Sequence, residues 1–295
     1  MPDWAEIDGA ISRAVGRSFK TLKKKNVAGG CINSAVIADS GQERYFVKLN
    51  GSDRAAMFEA ELAGLEELAG CGAVAVPAPV CTGAAGGDAF LVLEYLDMRP
   101  PLDHTASLLG ACLARMHAVA QPYFGWKMDN TVGTTPQPNA RTGDWPGFFR
   151  RHRLEYQLLQ AKKNARGGGA LQERGVRLCE RMGGLFDGYS PAPSLLHGDL
   201  WSGNYAAAAG GEPVIFDPAV YYGDREADLA MTELFGGFPD AFYDAYAEVF
   251  PPDPGYRVRR TLYNLYHVLN HLNLFGCGYA RQAEHMIDSL LSELG

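Results

Sequence analysis

The 295-residue sequence predicts an α+β protein of two lobes, a small N-terminal antiparallel-sheet lobe and a larger, mostly helical C-terminal lobe. Three observations carry this. Apolar runs before residue 96 are short and bounded by turn residues, as strands are. Those after Pro100 and Pro101 are longer and repeat at helical spacing. Two irregular patches, Phe124 to Asp144 and Leu195 to Asp224, interrupt the helical half, and long irregular segments in compact domains are often functional.

Residues 4–16 read as a short amphipathic helix. Ala35–Ala38, a turn at Asp39–Gly41 and Tyr45–Leu49 read as two paired strands. Over 53–69, Phe58, Leu62, Leu65 and Leu68 recur at helical spacing. The run Ala73–Val80, a Gly-rich turn at Gly83–Asp88 and the buried strand Phe90–Leu96 read as a hairpin. Helices are expected over 104–119, 145–163, 170–187, 225–235, 239–249, 256–275 and 279–293. The change of character sets the expected lobes at 1–96 and 97–295, with a hinge at the end of the first.

A formal net charge of −7 argues against nucleic acid or an anionic membrane as the main partner. The only dense basic run, Lys20 to Lys25, reads as a solvated face or strand edge. Six cysteines without C-x-x-C or regular spacing point to a reducing cytoplasm, not to a disulfide framework or zinc site. The N-terminus lacks an apolar signal core, and charges cut every apolar run short of a membrane span. The expectation is a soluble, cytoplasmic protein.

The chemistry concentrates in His197-Gly198-Asp199-Leu200-Trp201-Ser202-Gly203-Asn204, followed by Phe216-Asp217-Pro218 at the end of an apolar strand. Phosphoryl transfer needs a carboxylate to handle the attacking hydroxyl's proton, and an amide oxygen and a second carboxylate to hold magnesium. H-x-D-x-x-x-x-N with a later strand-end Asp fits that requirement. Asp199 is then the base, Asn204 and Asp217 the metal ligands, and His197 a brace for the loop. Lys48, in Tyr45-Phe46-Val47-Lys48, fits the strand lysine that grips the nucleotide's α- and β-phosphates. Glu59 and Glu61 compete as its partner. Glu61 follows Phe58 by three residues and precedes Leu65 by four, on the flank of the apolar stripe, and is preferred. Gly29, Gly30, Cys31 and Asn33 lie between two strand-like runs, upstream of the lysine, where adjacent glycines let backbone N–H groups approach phosphate. An ordinary hairpin turn explains them as well, and their position favours a nucleotide loop. Leu93, Glu94, Tyr95 and Leu96 end the strand before the proline-rich break and are expected to offer backbone groups to adenine.

HGDLWSGN, together with Phe216 to Phe238 (FDPAVYYGDREADLAMTELFGGF), resembles the fructosamine kinases, a branch of the aminoglycoside-phosphotransferase-like kinases. GGCIN from Gly29, YFVK with MFEAE, LVLEYL, DWPGFFRRHRL from Asp144 and LNHLNLFG from Leu269 extend the resemblance over nearly the whole chain. It implies a protein-kinase-like fold, ATP and Mg2+, and transfer of the γ-phosphoryl group to the 3-hydroxyl of a ketoamine, free or on a glycated protein. A monomer or a homodimer is expected, the low charge density leaving room for a dimer. Trp201 could stack on the sugar or on the amine's substituent. Asp224, Glu226 and Asp228 are candidate partners for a cationic amine, with helix-start capping an equal reading of Asp224 and Glu226. Trp126, Trp145 and Asn130–Asn139 either line the cleft or pack as a loop, and His267, His271 and Asn273 read as cross-links within the large lobe. A same-fold kinase acting on an aminoglycoside, choline or another amino-alcohol is the enzymatic alternative, and a non-catalytic nucleotide-binding regulator the alternative of another class.

Overall fold

The structure is a computed structural model that describes residues 2–27 and 32–295. Helix α1 (Trp4–Val15) starts where Asp3 accepts the Ala5 N–H at 2.9 Å and ends at Gly16 in the left-handed region. Strands β1 (Lys23–Val27), β2 (Ser34–Asp39) and β3 (Arg44–Gly51) follow, then α2 (Ala55–Cys71), β4 (Pro79–Ala85) and β5 (Asp88–Glu94). The five strands form one antiparallel sheet in the order β1-β2-β3-β5-β4. Lys23 to Lys25 of the basic run lie on the exposed edge strand β1. Only the end of Ala73–Val80 is strand. Before Pro79, Ala75 turns away to accept the Ile215 N–H at 3.0 Å, tying the run to the other lobe, while two prolines limit its capacity to donate to a ladder.

Alternation along the strands sorts the sheet's two faces. Val36, Ala38, Val47, Leu49, Phe90 and Val92 pack with Ile7 and Ile11 of α1. Leu91, Leu93 and Phe46 pack with Phe58, Leu65 and Leu62 of α2. Lys48 is two residues after Phe46, so period two sends it to the α2 side. On α2, Gly64 allows close approach to the other lobe: an added Cβ would lie 3.2 Å from Val220 and 3.6 Å from Pro218.

The second half begins with α3 (Asp103–His117) and a hairpin of β6 (Asn130–Val132) and β7 (Thr135–Gln137). Helix α4 (Trp145–Phe149) continues through a π-helical turn, Arg150–Glu155, into α5 (Tyr156–Lys163), and α6 (Gly168–Arg181) follows. Strands β8 (Ser194–Leu196), β9 (Tyr205–Ala207), β10 (Pro213–Ile215) and β11 (Tyr221–Gly223) then give way to α7 (Glu226–Leu234), α8 (Asp240–Val249), α9 (Tyr256–Phe275) and α10 (Ala280–Glu293). A large core runs through these helices. Trp126 and Trp145 are part of it, 3% and 1% exposed, which decides for packing over cleft lining. Cys71, Cys81, Cys112 and Cys179 are free thiols. No described helix is long and apolar enough to cross a membrane.

Candidate active site

Two short antiparallel pairs assemble the site. β8 pairs with β11, and β9 with β10, so the loop 197–204 and the segment 216–220 are held side by side. The Ala219 N–H donates to His197 O at 2.8 Å, and the Phe216 N–H to Asn204 O at 3.1 Å. Gly198 has φ +83° and an added Cβ would sit 2.1 Å from Ala219 O, so glycine is required there on both conformation and space. Asn204 is 6% exposed, and its Nδ2 donates to Asp199 O at 2.8 Å and Asp199 Oδ2 at 3.4 Å.

His197 braces this loop. Its Nδ1 accepts the Asp199 N–H at 3.3 Å, which leaves Nε2–H to donate to Phe216 O at 3.0 Å. Burial lowers its pKa, keeping it neutral for both bonds. Asp199, with its side chain 20% exposed, has its carboxyl pushed up to about 7 by burial first, then by Asp217 and Asp228, with the Asn204 hydrogen bond opposing. A base poised near neutrality suits proton transfer.

Lys48 reaches this group from the sheet. Its ammonium pairs with Glu61, and also meets Asp217 Oδ1 at 2.5 Å. Burial pulls its pKa down, but Asp217 and Glu61 outweigh that and hold it above the ordinary lysine value. Glu61 is thus the partner, and Glu59 is exposed. Asp217 sits at φ +58°, an uncommon conformation for a residue other than glycine, with its side chain 48% exposed. Such backbone persists where surroundings over-determine it, and here the Lys48 contact and the adjoining bonds at 216 and 219 do so.

Of the residues expected to bind nucleotide, Gly29, Gly30 and Cys31 lie outside the described residues. Asn33 Oδ1 accepts from Asn50 Nδ2 at 2.7 Å, and Asn50 also donates to Ile32 O at 3.2 Å, anchoring the loop's end to β3. Leu93 and Glu94 end β5, with the Glu94 N–H donated to Ala78 O at 2.8 Å, while the Tyr95 ring lies under Arg44 at 4.2 Å and Leu96 O accepts the Met98 N–H. Trp201 is half-buried, edge-on to Phe235 with centroids 6.1 Å apart.

The expected substrate contacts of Asp224 and Asp228 are corrected. Asp224 is 0% exposed and accepts from Tyr189 and Tyr263 hydroxyls at 2.9 and 2.5 Å and from the Glu226 N–H at 3.0 Å, so it caps the entry to α7. Burial, then Glu226, pushes its carboxyl up to about 6. Glu226 is also buried, paired with Arg259 at 2.8 Å. Asp228 is 1% exposed and turned towards the 197–204 loop, taking the His197 N–H at 2.7 Å and the Gly198 N–H at 2.8 Å. His117 Nε2–H donates to it at 3.2 Å, while Tyr246 donates to His117 Nδ1 and Arg225 to Tyr246. Burial opposes ionisation of Asp228, but these donors outweigh it and lower its pKa. Asp228 supports the loop from behind and Asp224 holds the start of α7; the oxygens of both are taken up by these donors.

Sequence reasoning missed Arg153. The π-helical turn carries it inward to 0% exposure, with its guanidinium over the rings of Phe148, Tyr221 and Tyr266. It donates to Pro138 O and Asn139 Oδ1, Asn139 donates to Asn130, and Asn130 and Gln137 donate to Val220 O and Ala219 O. The β6–β7 hairpin is therefore packed beneath the segment that carries Asp217. The signal available was the Trp-Pro-Gly-Phe-Phe run ahead of three arginines, Arg150, Arg151 and Arg153, which marks an aromatic bed for a cation.

Comparison with known proteins agrees with this geometry. The "probable ketoamine kinase" of Synechocystis sp. is 47% identical over 98% of this chain and 97% of its own. The chloroplastic protein-ribulosamine 3-kinase of Oryza sativa subsp. japonica is 42% identical over 95% of this chain and 82% of its own. The crystal structure of the "putative fructosamine-3-kinase" of Haemophilus somnus 129PT superposes with a TM-score of 0.90 at 28% identity, covering 98% of this chain and 97% of that one. Choline and aminoglycoside kinases at 12–15% identity share the protein-kinase-like fold, with TM-scores of 0.55–0.62. The sequence matches the fructosamine kinase family across residues 3–293, and the chain belongs to that family.

Proposed function

We propose that this chain transfers the γ-phosphoryl group of ATP to the 3-hydroxyl of ketoamines such as fructosamines and ribulosamines. The observation that carries the reading is Lys48, buried and charged between Glu61 and Asp217, with Asn204 hydrogen-bonded to Asp199 on the neighbouring loop. Membership of the fructosamine kinase family and the relatives named above support the substrate class.

Each side chain has one task in this reading. Lys48 holds the α- and β-phosphates, oriented by Glu61. Asp199 takes the acceptor hydroxyl's proton as the O–P bond forms. Asn204 and Asp217 offer an amide oxygen and a carboxylate, the hard donors that Mg2+ takes, and the half-exposed Asp217 faces the phosphate-gripping lysine. Mg2+ neutralises phosphate charge when bound. Trp201 offers an aromatic face to the sugar or to the cationic amine. In the same reading Gly29, Gly30, Cys31 and Asn33 bind the phosphates, and Leu93 to Leu96 the adenine.

The chemistry gives the product a fate. Phosphate at C3 is a leaving group β to the C2 carbonyl, so elimination and hydrolysis free the amine without further help from the enzyme. A coupled assay of ADP release with ribose-, fructose- and erythrulose-derived amines, beside choline and an aminoglycoside, tests the reading. Ketoamine-dependent turnover with phosphate on C3 is expected. Turnover with choline or the aminoglycoside alone would replace this function with the same-fold alternative.

A further inference from the structure

His267 lies on α9, on the turn that approaches Asp199. The residue is 5% exposed, and its ring stands edge-on to Tyr266 with centroids 5.0 Å apart. Its Nδ1 is buried without a hydrogen-bond partner among the described residues. An unsatisfied buried polar atom costs stability and requires an explanation, often a ligand or ordered water. The nearest acidic group is Asp199, whose Oδ1 lies 3.9 Å from that nitrogen. This is too long for a hydrogen bond. It is not an ion pair either, because burial, then His271, lowers the imidazole pKa to about 3 and leaves it neutral. The gap does match one oxygen atom bonded to both groups, with two contacts of about 2.8 Å meeting at roughly 90°.

We propose that His267 is a further acceptor-binding residue, whose Nδ1–H donates to the oxygen of the substrate hydroxyl while Asp199 accepts that hydroxyl's proton. The inference rests on the proposed function in taking the acceptor to be an alcohol and Asp199 to be its base. In the reaction the acceptor O–H bond breaks towards Asp199, the same oxygen bonds to the γ-phosphorus, and the bond from that phosphorus to the β-bridging oxygen breaks to release ADP. His267 keeps its proton throughout. One oxygen lone pair is held by the imidazole, which leaves the other directed at phosphorus. A neutral donor suits this task, since an imidazolium would stabilise the ground-state oxygen and dull its attack.

The test uses three substitutions in the full chain. His267→Asn sets an amide N–H close to the place of Nδ1, His267→Gln sets it near Nε2, and His267→Phe keeps a ring without a donor. Melting temperature, ATP KM and acceptor kcat/KM are read for each, with a ribulosamine, choline and an aminoglycoside as acceptors. The alcohol that the wild type phosphorylates is the one scored, so failure of the ribulosamine alone falls on the proposed function and not on His267. Expected are a loss of about tenfold in acceptor kcat/KM for His267→Phe, an unchanged ATP KM, and retention of most activity by His267→Asn. His267→Gln should fall below His267→Asn, a comparison that remains if the phenylalanine variant does not fold. Equal activity of the asparagine and glutamine variants, or equal damage to ATP and acceptor use, would overturn the assignment.

Discussion

Replacing Asp228 with Asn separates a residue that supports the catalytic loop from one that touches substrate. Its two oxygens have divided duties: Oδ2 accepts from the His197 N–H at 2.7 Å and from His117, and Oδ1 accepts from the Gly198 N–H at 2.8 Å. Asparagine keeps one oxygen and turns the other into a donor, so one of the two backbone N–H groups must face an amide N–H. Leaving a buried donor unsatisfied costs about 1–3 kcal/mol, and loss of charge on the retained bonds adds about 1 kcal/mol. A total of about 2–4 kcal/mol corresponds to a fall in Tm of about 3–6 °C for a chain of this size. Because the disturbed residues immediately precede Asp199, kcat should fall as well, with acceptor KM little changed. A thermal melt beside steady-state kinetics reads both. An unchanged Tm with a raised acceptor KM would refute the reasoning and return Asp228 to the substrate.

The other expectations concern the cleft itself. Lys48→Met should remove most turnover and raise ATP KM, Glu61→Gln should do so more mildly, and Glu59→Gln should have no effect because Glu59 is exposed; equal effects of the two glutamate variants in ATP titrations would contradict the pairing. Asp199→Asn should retain nucleotide binding while losing on the order of 10²–10⁴ in kcat, and more than a tenth of the wild-type rate would exclude it as the base. His267 also supplies a pH dependence. Its folded pKa of about 3 lies below the unfolded value near 6.5, so the unfolded chain binds the proton first. The contribution is complete above pH 6.5 and is lost as pH falls towards 3, by about 1.4 kcal/mol per unit. Between pH 6.5 and 5, His267→Asn should therefore gain about 2 kcal/mol relative to wild type in denaturant titrations; a difference independent of pH would contradict the burial argument.

What could be read from the residues follows a physical pattern. Strand and helix periods depend on which side chains must leave water, so the faces of β3 and α2 were visible, and with them the choice of Glu61 over Glu59. HGDxxxxN and the strand-end Asp217 were visible because phosphoryl transfer restricts residue type and spacing together. The misreadings share another cause: the burial of polar groups is decided by partners distant in sequence. Asp224 and Asp228 look like exposed helix-start acids, and the donors that draw them inward lie at Tyr189 and Tyr263, and at His117, His197 and Gly198. Arg153 was hidden by the π-helical turn, which shifts the 3.6-residue register and turns one arginine of a basic run towards the core. His267 was hidden by α9, where every residue from Leu262 to Asn270 is buried, so no polar face shows which turn meets the cleft. An all-round buried helix sets its chemistry by what lies opposite each turn, and opposite His267 that is Asp199.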